Sequence, residues 1–462
     1  MKLLESYRQA LKTLDPIRVT GQVSGVTGLT VSVSDFPAPM GATCRIMHGG
    51  RALEARVIGF DGLRTLVMPM GPLAGVSRGD RVELSLRQQS LAVGQDVLGR
   101  VLDALGRPID GRPAPRGEQL VPIWPEPTAA MQRRRISQPM PTGIRALDAM
   151  LTVGRGQRMG IFSGSGVGKS VLMGMLARSS AADVTVIALI GERGREVRDF
   201  IEKDLGPEGL KRSVVIASTG DEPPPLRVQA GAVATAVAEY FRDLGCDVLL
   251  LMDSLTRLAW AQRQIGLASG EPPATKGYTP SVFNLLPQLL ERCGRTSGGS
   301  ITGFYTVLLE GDDMSEPVAD AARAVTDGHI LLSRELADLG HYPAVDVLRS
   351  VSRVMVDVAD AEHRSAAREI HRLVAMHSQV EDLVNIGAYQ FGVNMEHDLA
   401  IKAMPAIREF LSQPIAQRVD FPQARQGLLE LVRQAHSLRL RPAGGAKPAD
   451  SPPVRGAWIK ER

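Results

Sequence analysis

Aromatic side chains are scarce. Phe, Trp and Tyr make up 4% of the 462 residues, too few to line a groove with stacking platforms for single-stranded nucleic acid. An excess of one charge is missing as well. The 54 Lys and Arg stand against 50 Asp and Glu, and a net charge of +4 does not mark a nucleic-acid binder. Cysteines are few and scattered: Cys44, Cys246 and Cys293 form no C-x-x-C pair. That argues for buried free thiols in a reducing cytoplasm rather than a disulfide framework. No apolar run approaches the roughly 20 residues that span a bilayer. Glu5, Arg8 and Lys12 interrupt the opening "MKLLESYRQALKTL", which excludes a signal-peptide core there.

What is present is ordinary globular material, 44% hydrophobic and 23% charged, in a chain long enough for two to four domains. Leu3, Leu4, Tyr7, Leu11 and Leu14 fall on one face of a helix over residues 1–14, and Asp15-Pro16 ends it. Such a helix either docks a partner or packs on its own domain. Residues 18–93 hold short β-branched runs split by Gly, Pro and Asp, the pattern of a small antiparallel barrel or sandwich. From about residue 94 the texture is α/β. Apolar runs at 158–162, 184–190, 213–218, 247–252, 304–309 and 328–333 alternate with helical patterns, which predicts a parallel sheet covered on both faces. After about 356 only helices are expected, over 360–378, 395–412 and 423–438. The stretch from 439 onward is rich in Pro, Gly and Ala and reads as a disordered tail.

The chemistry centres on "SGSGVGKS" (163–170). It follows a predicted strand and opens a predicted helix. Backbone N–H groups of Gly164, Ser165, Gly166, Val167, Gly168, Lys169, Ser170 and Val171 can there wrap a polyphosphate. Lys169 would reach the β and γ phosphates, and Ser170 would ligate Mg²⁺. Ser163 stands where the first glycine of this motif is usual, but Gly164 follows at once. Asp253 ends the run "DVLLLMD", where a carboxylate can hold Mg²⁺ through water or cap the next helix. "GERGREV" (191–197) follows another strand. In it Glu192 is the candidate to polarise an attacking water, and Arg193 could contact the γ-phosphate. "HYPAVDVLRSVSR" (341–353) offers the Tyr342 ring for adenine and Arg353 as an arginine finger. Taken alone, an Arg in that setting is ordinarily a surface residue.

Together "SGSGVGKS", "GERGREV", "LLLMDSLTRLAWAQR" and "PAVDVLRSVSR" resemble the catalytic subunits of rotary ATP synthases and their secretion relatives. "VLGRVLDALGRPIDG", "PTGIRALDAMLTVGRGQRMGIF" and "VLLEGDDMSEPVADAARAVTDGHILLSREL" narrow the likeness to the flagellar protein-export ATPases, with the injectisome ATPases of type III secretion close behind. The resemblance covers residues 18 to 438. It implies an α/β, RecA-like P-loop ATPase core (94–355) between an N-terminal β-barrel (18–93) and a C-terminal helical domain (356–438). It further implies a homohexameric ring that hydrolyses ATP with Mg²⁺. Lys169, Ser170, Glu192, Arg193, Asp253 and Arg257 would act within one subunit, Arg353 on the neighbour's γ-phosphate, and Tyr342 on adenine. The implied partners are a stator-like regulator at the N-terminal helix (1–17), a coiled-coil stalk protein, and a membrane export gate with its substrates and chaperones. The implied location is the cytoplasm, peripheral at the inner face of the membrane. Ser163 departs little from the family pattern, which often has a small residue there. The Pro-rich "GDEPPPLRVQ" (220–229) and the tail receive no role.

Three other readings compete. A rotary synthase β subunit shares the core, but "RALDAMLTVGRGQR" and the terminal helix argue against it. A ring-shaped nucleic-acid motor is disfavoured by the sparse aromatics and by the lack of a basic cluster in the β module. A noncatalytic nucleotide-holding subunit would lack the carboxylate that Glu192 supplies.

Overall fold

The computed structural model describes residues 18–85 and 89–439. The expected helix over residues 1–17 and the tail from 440 onward lie outside the described residues.

Six strands at the N-terminal end close into an antiparallel barrel: β1 (Thr20–Thr27), β2 (Thr30–Ser34), β3 (Thr43–His48), β4 (Arg51–Asp61), β5 (Arg64–Pro69) and β6 (Arg81–Leu84). The order β1-β2-β5-β4-β3-β6 is completed by pairing of β6 with β1, so the chain forms a barrel and not a sandwich. Alternate residues turn inward, and Val23, Val33, Cys44, Ile46, Val57, Val67 and Val82 fill the interior. The next strand, β7 (Ser90–Val93), leaves the barrel and pairs with β9 (Gln119–Pro122). Between them β8 (Arg100–Leu102) joins the edge of the central sheet.

That sheet holds all six predicted strands: β10 (Arg158–Ser163), β11 (Val184–Glu192), β12 (Ser213–Thr219), β13 (Asp247–Asp253), β15 (Ser300–Leu308) and β16 (Gly328–Leu332). Its order is β17-β16-β10-β15-β13-β11-β12-β8, with β14 (Gly294–Arg295) beside β15 and β17 (Val351–Ser352) antiparallel at one edge. The strands from β16 to β8 run parallel. Successive β11 residues enter opposite cores, Ile187 and Leu189 on one face, Val186, Ala188 and Ile190 on the other. Burial on both faces explains why these strands read as unbroken apolar runs.

Three long helices follow, Ala361–Asn385, Met395–Leu411 and Phe421–Arg439. Ile370, Leu373, Ala403, Ile407 and Leu428 carry the core of the sheet's first face into this bundle. The first helix runs past the expected end at 378, because nothing in "QVEDLVN" breaks it before Gly387. Cys44 and Cys293 are buried free thiols, while Cys246 is only partly buried.

Candidate nucleotide site

The candidate residues meet at the carboxyl ends of β10, β13 and β11, where parallel sheets bind ligands. The phosphate loop leaves β10 and runs into the helix Lys169–Ser179, whose first-turn N–H groups face outward without intrahelical acceptors. Gly166 and Gly168 take positive φ, +80° and +92°, so glycine is required at both. Ser163 has no such φ. It lies wholly buried as the last residue of β10. A serine therefore serves where the first glycine is usual. At Gly164 a Cβ would lie 2.4 Å from Asp312 Oδ1 and 2.8 Å from Arg334 Nη2, so any larger residue would displace these two side-chain tips.

Lys169 lies between two carboxylates. Its Nζ donates to Asp253 Oδ1 at 2.5 Å and stands 3.6 Å from Glu192 Oε1. Thr306 Oγ1 on β15 donates to the same Asp253 oxygen at 2.7 Å. Glu192 Oε2 pairs with Arg257 Nη1 at 2.5 Å, and that nitrogen also donates to Gly191 O at 2.7 Å. Glu192 is 7% exposed, and its Oε1 is buried with no hydrogen-bond partner. Burial first, then a hydrogen bond with Glu196, then the charge of Asp253 push its carboxyl up to about 7. Its charged form is required to accept a proton, so kcat/KM for ATP should fall as pH drops through that value. A pH–rate profile whose acid limb lies in the ordinary carboxylate range would count against this base.

The donors fit a hard divalent cation. Ser170 presents an exposed hydroxyl at the helix start, and Asp253 keeps Oδ2 free of any described hydrogen-bond partner. Hydroxyl and carboxylate oxygens are the ligands Mg²⁺ takes beside a polyphosphate.

Other expected residues sit farther out. Tyr342 flanks the loop; a Cβ on Gly168 would lie 3.5 Å from its Cε1, and the residue is 43% exposed. That leaves a face open beside the phosphate loop. Val171 is half-buried on the helix behind. Arg193 is not brought to Lys169: its side chain is 85% exposed and pairs with Glu196 at 3.6 Å. The helix Gly194–Asp199 begins at once after β11 and turns Arg193 outward. Arg353 is exposed beyond β17, its N–H bonded to Asp327 O, and its guanidinium has no partner among the described residues.

Three contributors escaped the sequence reading. Thr306 carries no motif; only the β13–β15 pairing sets it beside Asp253. Asp312 and Arg334 approach the loop from two further segments. Arg334 Nη2 donates to Ser165 O at 3.1 Å, and its Nε lies 3.4 Å from Asp312 Oδ2. Asp312 thus sets a negative charge beside the place phosphates would enter. Asp312→Asn should lower KM for ATP, and Arg334→Ala should raise it, each by about two- to fivefold, the scale of exposed charge pairs. Steady-state kinetics checks both; a change in kcat alone would contradict the placement.

Comparison with known proteins agrees with this geometry. The nucleotide-binding domain of the ATP synthase alpha/beta family matches residues 143–352, and the T3SS EscN ATPase C-terminal domain matches residues 359–430. A flagellum-specific ATP synthase of Treponema pallidum is 52% identical, over 91% of this chain and 94% of that one. A type 3 secretion system ATPase of Xanthomonas euvesicatoria is 50% identical, over 93% and 97%. The assembled ATPase EscN of the enteropathogenic E. coli type III secretion system superposes with a TM-score of 0.85. It is 41% identical, over 89% of this chain and all of that one.

Proposed function

Because this chain belongs to the family of flagellum-specific ATP synthases and type 3 secretion system ATPases, we propose that it hydrolyses ATP to drive export of flagellar proteins through a type III secretion apparatus. One observation carries the enzymatic part: a P-loop lysine held between a carboxylate suited to the metal and a buried carboxylate suited to water. Lys169 leaves Asp253 to meet the phosphates. Ser170 and Asp253, the latter held by Thr306, would hold the metal. Mg²⁺, when bound, neutralises phosphate charge and orients the phosphoryl group. Glu192 Oε1, which accepts no hydrogen bond from the described residues and is faced only by Lys169, orients and polarises the attacking water once the lysine turns to the phosphates, while Arg257 fixes its other oxygen. Tyr342 supports the base.

Solved relatives support an assembly. EscN has been solved assembled and in complex with its central stalk EscO. With that support we assign this chain a homohexameric ring around a coiled-coil stalk, with a stator-like regulator on residues 1–17. The ring would lie at the inner face of the membrane beneath an export gate that receives substrates and their chaperones, and it has no part in nucleic-acid binding. No helix among the described residues is long and apolar enough to cross a membrane.

The match of residues 359–430 to the EscN C-terminal domain favours secretion over a rotary synthase β subunit. A second reading, the injectisome ATPase, is supported by the Xanthomonas relative at 50% identity. Affinity isolation of the tagged full chain from its own cells separates them. Co-purification of flagellar basal-body and export components is the expected result. Injectisome components alone would move the assignment to the second reading, and synthase subunits would overturn both.

A further inference from the structure

The phosphate loop leaves the carboxyl end of β10, and Arg353 sits at the other end of the same sheet. Its N–H bonds Asp327 O, and Asp327 N bonds Arg158 O where β10 begins. Six residues of strand, about 20 Å, separate the two ends. The amino-end face around Arg353 is rich in arginine, with "QRRR" at 132–135. Arg134 stands across an antiparallel bridge from Arg295, which itself pairs with Ser300, the first residue of β15. Ile136 and Val354 both close over Gly154 and leave no room for a Cβ there, which sets the Arg135 segment beside the Arg353 segment. The acids here are already engaged: Glu291 by Arg133 and Arg158, Asp327 by Arg158, and Asp247 by Arg155. Asp357 pairs with no arginine among the described residues. Arg134 and Arg135 are exposed, and their guanidiniums have no partner among the described residues. Arg295 reaches only the Ser137 hydroxyl, at 3.1 Å. Like charges directly opposed on paired strands are destabilising, and Arg134 and Arg295 have no carboxylate between them to offset this.

The carboxyl end carries the opposite sign. "LEGDD" (309–313) leaves β15 beside the phosphate loop, with Leu309 N bonded to Ser163 O and Asp312 close to Gly164. Glu310 is exposed with no cation among the described residues, and Asp313 has only Lys276, at 3.7 Å. Each end thus sets a reacting element beside a charged strip: the finger beside arginines, the phosphate loop beside carboxylates. Val351 and Val356, 40% and 61% exposed, flank Arg353 and offer apolar contact on the same face. We propose that the strip Arg134, Arg135 and Arg295 docks a second copy of this chain, whose loop 310–313 lies across it, and that this contact seats Arg353 at that copy's phosphate loop. The proposal rests on the ring assigned above and adds to it which charges meet. Complementary charges of this kind fix register and speed encounter, and like charges brought together in their place are strongly penalised.

Sedimentation velocity on the full chain, with a non-hydrolysable ATP analogue and Mg²⁺, tests it. The unaltered chain should assemble, at a midpoint concentration that rises with salt. The double variant Arg134→Glu, Arg135→Glu should raise that midpoint by at least about tenfold, and so should Glu310→Arg with Asp313→Arg. Neither should change the melting temperature of the dilute chain or its affinity for the analogue by calorimetry. All four changes in one chain restore the opposed charges with their signs exchanged, so the midpoint should return most of the way. A fold merely damaged by the substitutions would not recover in this way. Assembly of the Arg134→Glu, Arg135→Glu chain at the unaltered concentration would overturn the proposal and leave the ring standing. Failure of the fourfold exchange to recover would overturn it too. So would assembly untouched by these two substitutions while they abolish binding to anionic phosphatidylglycerol vesicles, which would make the strip a lipid surface. An unaltered chain that never associates would overturn both the contact and the ring.

Discussion

The Arg353→Ala chain is expected to fold, bind ATP and assemble, and yet to lose about 10³- to 10⁵-fold in turnover, the scale of arginine fingers elsewhere. The expectation rests on an arginine whose guanidinium makes no hydrogen bond or ion pair among the described residues. Arg353 follows the edge strand β17, its backbone is pinned to Asp327 O at 3.0 Å, and its guanidinium is exposed and unpaired among the described residues. Arg257, by contrast, is bonded to Glu192 and Gly191 and is already committed within the subunit. A finger supplied by a neighbour also makes activity rise steeply with chain concentration, because only assembled copies possess a complete site. Turnover per chain that is independent of concentration down to the monomer would refute the role.

Glu192→Gln is the second large effect. The shape is kept and the negative charge is lost, so ATP binding should persist while kcat falls by roughly 10²- to 10⁴-fold. The same substitution should change stability in a pH-dependent way. The folded Glu192 carboxyl lies above its ordinary value, so the folded state binds the extra proton and stability declines as pH rises from the ordinary carboxylate range to about 7. Above that window the Gln variant should melt higher than the unaltered chain, and in acid the gap should close. A Gln variant that no longer binds ATP, or that turns over normally, would remove Glu192 from the role of base.

Much of this was legible in the residues because the relevant signals are local. Strands buried on both faces declare themselves as apolar runs, and Lys169 and Asp253 lie at fixed places relative to the ends of such runs. The barrel's closure came only from the family resemblance and not from the local pattern, since it depends on β1 meeting β6 across some sixty intervening residues. Nor was the outward turn of Arg193. A charged cluster after a strand looks the same whether the chain dips toward the site or, as here, enters a helix that carries one side chain in and the next out. Asp312 and Arg334 reach the phosphate loop only through the positions of β15 and β16 on either side of β10.

The central claim is a nucleotide site divided between copies of this chain, and mixing two inactive variants tests it most directly. Lys169→Ala removes the phosphate-binding lysine from one copy, and Arg353→Ala removes the finger from the other. Each alone should be inactive. In rings reassembled from equal amounts, about a quarter of the head-to-tail interfaces pair an intact Lys169 with an intact Arg353. The account predicts that ATP hydrolysis returns in the mixture, up to about that fraction of the unaltered rate. Mixed rings that demonstrably form and remain without activity would contradict it.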